Sequence, residues 1–157
     1  MYTNSIVTDE IRTQVASKCP PPSPDQLAAA SDWVCRFAVR WQKPDADSLS
    51  DLMHPDTQNL IPPMTAPANR EGVVEHFRQV LRQFPDLRIE ITRWAISGDT
   101  VMIEWSATVT VGRRQISWSG VDRISLRGER MYAGQVYWDT RRVAEQVAEA
   151  RSAVVAE

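Results

Sequence analysis

The sequence predicts an α+β domain, with helical patterns in its first half and a run of antiparallel strands in its second. Residues 24–84 place most of their apolar side chains at three- and four-residue spacing, the helical period. Residues 87–139 switch to period two, cut by Gly98-Asp99, Gly112-Arg113 and Gly128-Glu129, as in a meander of hairpins. A third observation concerns Asp122. Its parity mates along the strand are Ile116, Trp118, Gly120, Ile124 and Leu126, so a carboxylate projects from an otherwise apolar face.

The whole chain bounds the class of protein. Its 157 residues, 43% hydrophobic and 24% charged, suffice for one core without a metal or disulfide staple. A net charge of −2 and a pI near 5.7 give none of the basic surplus that phosphate neutralisation needs, so nucleic acid is set aside as a partner. The first residues carry neither a charged nor an apolar leader segment, and no run approaches the ~18 apolar residues of a membrane span. The expectation is a cytoplasmic protein with no membrane partner. Cys19 and Cys35 have no accompanying cluster of cysteine and histidine, so both read as free thiols and no metal site is expected.

In chain order, residues 1–23 are polar and end in Pro20-Pro21-Pro22. They read as an N-terminal arm with one short helix at 9–16, fitting either a disordered tail or a strap over a neighbouring subunit; the folded domain is 24–157. Ser23-Pro24-Asp25 starts a helix with a capping side chain, proline at the first helical position and an acid in the first turn. Leu27, Ala30, Val34, Phe37, Ala38 and Trp41 give it an apolar face, and it ends before Lys43-Pro44. A shorter helix is expected over 47–53, closed by His54-Pro55-Asp56. Residues 57–68 then read as a proline-rich loop too apolar for an ordinary connection unless it covers something. Asn69 caps a helix over 70–84, stopped by Pro85-Asp86, and a strand follows over 87–97. A closing helix at 140–155 shows Val143, Val147 and Ala150 in helical register.

Register within the meander decides the second acid. A two-residue turn at Gly112-Arg113 pairs the apolar faces and leaves Asp122 alone, whereas a three-residue turn sets Glu104 opposite Asp122. The apolar pattern Val101, Ile103, Trp105, Ala107, Val109 favours the first.

The order of these pieces resembles the SnoaL-like branch of the nuclear transport factor 2-like superfamily. The residues that carry the likeness are His54-Pro55-Asp56, Glu71-Gly72-Val73-Val74, Phe84-Pro85-Asp86-Leu87, Gly98-Asp99-Thr100-Val101, Gly120-Val121-Asp122-Arg123 and Arg127-Gly128, spread over residues 25–140. The resemblance implies a conical barrel: a curved, mostly antiparallel sheet wrapped around N-terminal helices, with an internal apolar pocket. It also implies a homodimer and no metal or organic cofactor. In the cyclase branch the Asp of the G-x-D strand is the acid/base, which here falls on Asp122. Where that branch carries Gly-Thr-His, this chain has Ala107-Thr108-Val109. The family's limonene-epoxide-hydrolase-like members are similar through Tyr137-Trp138-Asp139. Their arginine–aspartate pair falls near Met102 and Glu104, and their second catalytic Asp at Val136.

A carboxyl on an apolar wall loses hydration mainly in its charged form, so its pKa rises and it can move protons near neutral pH. The alternative is a structural ion pair with Arg93 or Arg123, although Arg123 alternates to the opposite face. Candidate catalytic residues are therefore Asp122 and Glu104, and candidate substrate contacts are Trp118, Trp41, Met102, Asn59, Met64 and Tyr137. His54 and His76 read as capping or solvated residues. Three functions fit: a cofactor-independent acid/base enzyme on a hydrophobic polyketide- or terpenoid-like small molecule, an epoxide hydrolase using Asp122 with Glu104, or a non-catalytic ligand-binding or dimerisation domain. Loss of Glu104 discriminates the first two, and a pocket filled by its own tryptophans would favour the third.

Overall fold

The structure, a computed structural model, describes residues 7–155; residues 1–6 of the expected arm lie outside them. The order is α1 (Asp9–Ala16), α2 (Pro24–Gln42), α3 (Ala46–Ser50), β1 (Met53–Leu60), α4 (Arg70–Gln83), β2 (Arg88–Ser97), β3 (Thr100–Val111), β4 (Arg114–Arg127), β5 (Arg130–Trp138) and α5 (Thr140–Val155). The strands form one curved, unclosed sheet in the order β1-β5-β4-β3-β2. All neighbours are antiparallel except β1 and β5, which run parallel. This is the expected α+β cone.

The helix starts follow their capping residues. The Ser23 hydroxyl accepts from Gln26 N while the Gln26 side chain accepts from Ser23 N, a reciprocal box that satisfies two otherwise orphaned donors at the head of α2. Asn69 accepts from Gly72 N to begin α4. Trp33, Val34, Phe37 and Trp41 of α2 are buried in one cluster with Val101, Ile103, Trp105 and Val109 of β3. Trp33 adds a hydrogen bond from Nε1 to the Leu52 carbonyl at 2.9 Å, which fixes α2 to the start of β1. Leu27, expected on the inner face of α2, is exposed instead. The Pro85-Asp86 turn is held to β3, where the Asp86 carboxylate accepts from Thr110 N at 3.0 and 3.2 Å.

Residues 53–60 correct the sequence reading. The third helix stops at Ser50, and Met53–Leu60, including His54-Pro55-Asp56, is a strand. Its alternation was hidden because its inward residues include polar ones: Met53, Thr57 and Asn59 are buried, whereas Pro55, Asp56 and Gln58 between them are exposed. Pro55 is tolerated because β1 is an edge strand whose pairing with β5 is interrupted between Met53 and Gln58. The proline-rich loop is correspondingly shorter. Asn59 links it to the sheet through paired backbone bonds with Ala68 at 2.9 and 2.8 Å.

The short arm helix α1 is present as expected, with Thr8 as its cap and no buried residue. Beyond it, the Pro20 carbonyl accepts from Gly98 N at 2.8 Å and from the Ser97 hydroxyl at 3.2 Å. The described end of the arm is therefore anchored to the β2–β3 turn. Cys19 and Cys35 are free and exposed.

Candidate active site

The β3–β4 register places the acid. Val111 pairs with Arg114 across a two-residue turn, and Gly112 at φ 61° supplies the positive φ that the first position of such a hairpin needs. Ile103 is then opposite Asp122 and Trp105 opposite Gly120. Trp105, Asp122, Ile124 and Trp118 thus share the concave face of the sheet.

A cavity of about 300 Å³ lies between that face and the helices, the lower end of the usual ligand-pocket range. Trp33, Phe37 and Trp41 of α2 wall one side, Phe77 and Val80 of α4 another, and Val143 and Val147 of α5 a third. Trp118 and Trp138 form an aromatic pair on the sheet side, with ring centroids 6.0 Å apart and planes tilted by 34°. Ile61, Pro62 and Pro63 of the proline-rich loop also line the cavity. The cavity is open despite its tryptophans. Among the described lining residues, only Asn59, His76, Gln83 and Asp122 carry polar groups beyond an indole.

Asp122 is 8% exposed. Its Oδ1 accepts from Trp105 Nε1 at 2.7 Å, and Oδ2 has no hydrogen-bond donor among the described residues. No arginine approaches: Arg93 is exposed, and Arg123 turns to the outer face and bonds Gln135 Oε1 at 3.2 Å. Burial pushes the carboxyl from 3.8 up to about 7, opposed only by the Trp105 hydrogen bond, which favours the charged form. The structural ion pair that was the alternative is absent among the described residues.

Gly120 makes this contact geometrically allowed. A Cβ there would collide with the Trp105 ring, so the bare backbone lets the indole lie flat on β4 and reach Asp122. Gly134 does the same for Asn59, whose Oδ1 a Cβ would strike. Asn59 is buried, its Nδ2 donates to Thr57 Oγ1 at 3.0 Å, and its Oδ1 is a buried acceptor with no partner among the described residues.

Of the expected site residues, Asp122, Trp118, Trp41 and Asn59 meet at the cavity. The other four do not. Glu104 lies opposite Val121 on the outer face and is exposed, because the two-residue turn turns its parity class outward. Met102 shares that face and is 40% exposed. Tyr137 is exposed because the separate β4–β5 pairing sets it beside Val121 on that outer face. Met64 is half-buried in the loop but does not line the cavity.

Sequence reasoning missed three contributors. Trp105 appeared only as core, although a glycine opposite a tryptophan in paired strands signals an indole lying across the neighbour. Trp138 lines the cavity beside Trp118. His76, read as solvated, is half-buried and lines the cavity with Val80 and Gln83; their spacing of four and three residues already put them on one stripe of α4. Burial lowers the His76 pKa below its usual value.

A curved sheet backed by helices around a largely apolar, aromatic cavity with a buried acid is the nuclear transport factor 2-like architecture. The chain belongs to the SnoaL-like domain family, whose profile matches residues 34–133. No curated protein is significantly similar in sequence. Among solved structures, AclR from Streptomyces galilaeus, a proposed hydroxylase, is 16% identical with a TM-score of 0.67, over 78% of this chain and 82% of its own. IdmH from Streptomyces antibioticus, a proposed polyketide cyclase, is 19% identical with a TM-score of 0.67, over 75% and 97%. A proposed polyketide cyclase from Acidithiobacillus ferrooxidans is 21% identical with a TM-score of 0.66, over 78% and 96%. At these identities the likeness extends to the fold alone. No helix among the described residues is long and apolar enough to cross a membrane.

Proposed function

We propose that the protein is an acid/base enzyme for a hydrophobic, ketone-bearing small molecule, with Asp122 as the group that moves the proton. The observation that carries this is Asp122 itself: a carboxyl at the wall of a largely apolar cavity, with one oxygen held by Trp105, the other without a hydrogen-bond donor among the described residues, and a pKa pushed to about 7. A group titrating near working pH is the best compromise between basicity and availability, and contributes on the order of 10²–10⁴-fold. The carboxylate takes a proton from carbon next to the substrate carbonyl. The C–H electron pair forms a C=C bond and the carbonyl π pair moves to oxygen. Asp122 then returns the proton elsewhere on the same skeleton, as in isomerisation. In ring closure the new nucleophilic carbon attacks a second carbonyl of the molecule, whose π pair moves to its oxygen, and Asp122 protonates the alkoxide so formed.

Trp118 and Trp41 supply flat apolar wall to the substrate, and Asn59 a fixed polar contact. The family membership and the fold of the cyclase-named structures favour this reading. The outward facing of Glu104 weighs against epoxide opening, which asks for a second acid beside Asp122. The test needs no native substrate. The protein is incubated with 2-tetralone in deuterium oxide, and uptake of deuterium at the acidic carbons is followed by mass spectrometry. Uptake above the buffer rate, lost in Asp122→Asn, supports the proposal; equal uptake by both proteins rejects it.

A further inference from the structure

We propose that the His76 imidazole is the hydrogen-bond donor for the substrate's carbonyl oxygen while Asp122 works on the neighbouring carbon. The inference rests on the acid/base reading and names the second half of that site. Removing a proton next to a carbonyl moves negative charge to the oxygen, and a preorganised donor at that oxygen is commonly the largest catalytic contribution. The polar groups of the cavity can be taken in turn. Trp105 Nε1 is committed to Asp122. Asn59 Nδ2 is committed to Thr57, and its remaining atom is an acceptor, which repels an oxyanion. Gln83 is exposed at the end of α4.

His76 has neither defect. It lines the cavity from the helical wall, whereas Asp122 belongs to the sheet wall, so a substrate lying between them meets both. Its ring is set against Phe77, with centroids 5.9 Å apart and planes at 49°. Neither ring nitrogen has a hydrogen-bond partner among the described residues. Burial keeps the imidazole neutral at pH 7, so it offers one N–H donor without placing a second charge in the pocket. No proton is transferred to the oxygen in this step; the N–H stabilises the enolate that Asp122 creates. The indoles of Trp41, Trp118 and Trp138 also lack acceptors among the described residues, and they are the rival donors.

The test pairs 1-tetralone with tetralin, a ketone and a hydrocarbon of similar shape, at pH 9.5, well above the Asp122 pKa of about 7, where the carboxyl is ionised and cannot donate. Binding is read by tryptophan fluorescence, and the carbonyl by the ¹³C shift of labelled 1-tetralone. The expected result is a downfield carbonyl shift in the wild type. In His76→Leu that shift is lost and 1-tetralone binds about 5- to 10-fold more weakly, the worth of one hydrogen bond. Tetralin binding stays unchanged, and His76→Gln, which keeps a donor, recovers part of both effects. Deuterium uptake by 2-tetralone should fall roughly 10²-fold in His76→Leu.

A shift that survives in His76→Leu but disappears in Trp118→Phe gives the oxygen to an indole and overturns the proposal. Equal losses for ketone and hydrocarbon also overturn it, since they mark a change in packing. If neither probe binds the wild type, the pocket reading and this one fall together. If Asp122→Asn abolishes deuterium uptake while His76→Leu leaves it intact, only the His76 assignment falls.

Discussion

Trp105 reaches from β3 onto β4 and donates its indole N–H to Asp122 at 2.7 Å, so the one buried acid of the cavity is held by a single donor on the adjoining strand. The contact acts against the surroundings. Burial favours the protonated carboxyl, and the hydrogen bond favours the carboxylate. The pKa near 7 is the balance of the two, and it leaves Asp122 usable as either base or acid at neutral pH.

Trp105→Phe should therefore raise the Asp122 pKa further, by about one unit, the equivalent of one charge-assisted hydrogen bond of ~1.4 kcal/mol. Carboxyl-detected NMR titration of Asp122 reads this directly. A fall toward the ordinary value of 3.8 would mean instead that the smaller ring has admitted water.

Asp122 also sets a pH dependence of stability, and its direction is opposite to that of an ion-paired aspartate. Its folded pKa lies above its unfolded one, so between pH 3.8 and about 7 the folded protein keeps a proton that the unfolded chain has lost. The stabilisation is complete below pH 3.8 and lost as pH rises through 7. A shift of about three units corresponds to at most ~4 kcal/mol. In Asp122→Asn this dependence disappears. Denaturant unfolding at pH 4.5 and 8.5 should show the variant gaining on the wild type by a few kcal/mol at the higher pH; a constant difference would contradict the raised pKa.

Much of this site was legible because strand parity is strict. Asp122 among Trp118, Gly120 and Ile124 fixed the facing of the acid once the two-residue turn at Gly112-Arg113 was chosen. The same choice turned Glu104 and Met102 outward, while the β4–β5 pairing of Tyr137 with Val121 turned Tyr137 outward; keeping Glu104 as a candidate gave a family likeness more weight than the pleat. Residues 53–60 were not legible, because a strand that buries Thr57 and Asn59 and contains Pro55 shows no apolar alternation. His76 was hidden for a different reason. α4 faces a cavity rather than packed core, so a polar residue on its inner stripe costs little and looks solvent-facing in sequence. The Trp105–Asp122 bond needed the diagonal between paired strands, which periodicity along one strand does not reveal.

The outward position of Glu104 makes Glu104→Gln a discriminating control. The side chain is exposed and opposite Val121, so the substitution should change stability by no more than about 0.5 kcal/mol. The Asp122 titration and the 2-tetralone exchange rate should both stay at wild-type values. An exchange rate that collapses along with that of Asp122→Asn would restore the two-acid mechanism.

Gly120→Ala tests whether the space above β4 is what lets Trp105 hold the acid. The added Cβ would sit under 3.0 Å from Cζ2, Cη2 and Cε2 of the Trp105 ring, and that ring is buried in the core with little freedom to move. Overpacking of this kind costs about 1–3 kcal/mol. The indole must also lift away from Asp122, so the carboxyl loses its donor and its pKa should rise as in Trp105→Phe. Gly128→Ala separates this from a general glycine effect. That site has nothing within 4 Å of the added methyl, but φ is +60°, so its cost of about 1–2 kcal/mol is purely backbone. Calorimetry should show both variants destabilised, and NMR titration should show the Asp122 pKa displaced only in Gly120→Ala. An unshifted pKa in a folded Gly120→Ala protein would mean that Trp105 keeps its hold on Asp122 by another route.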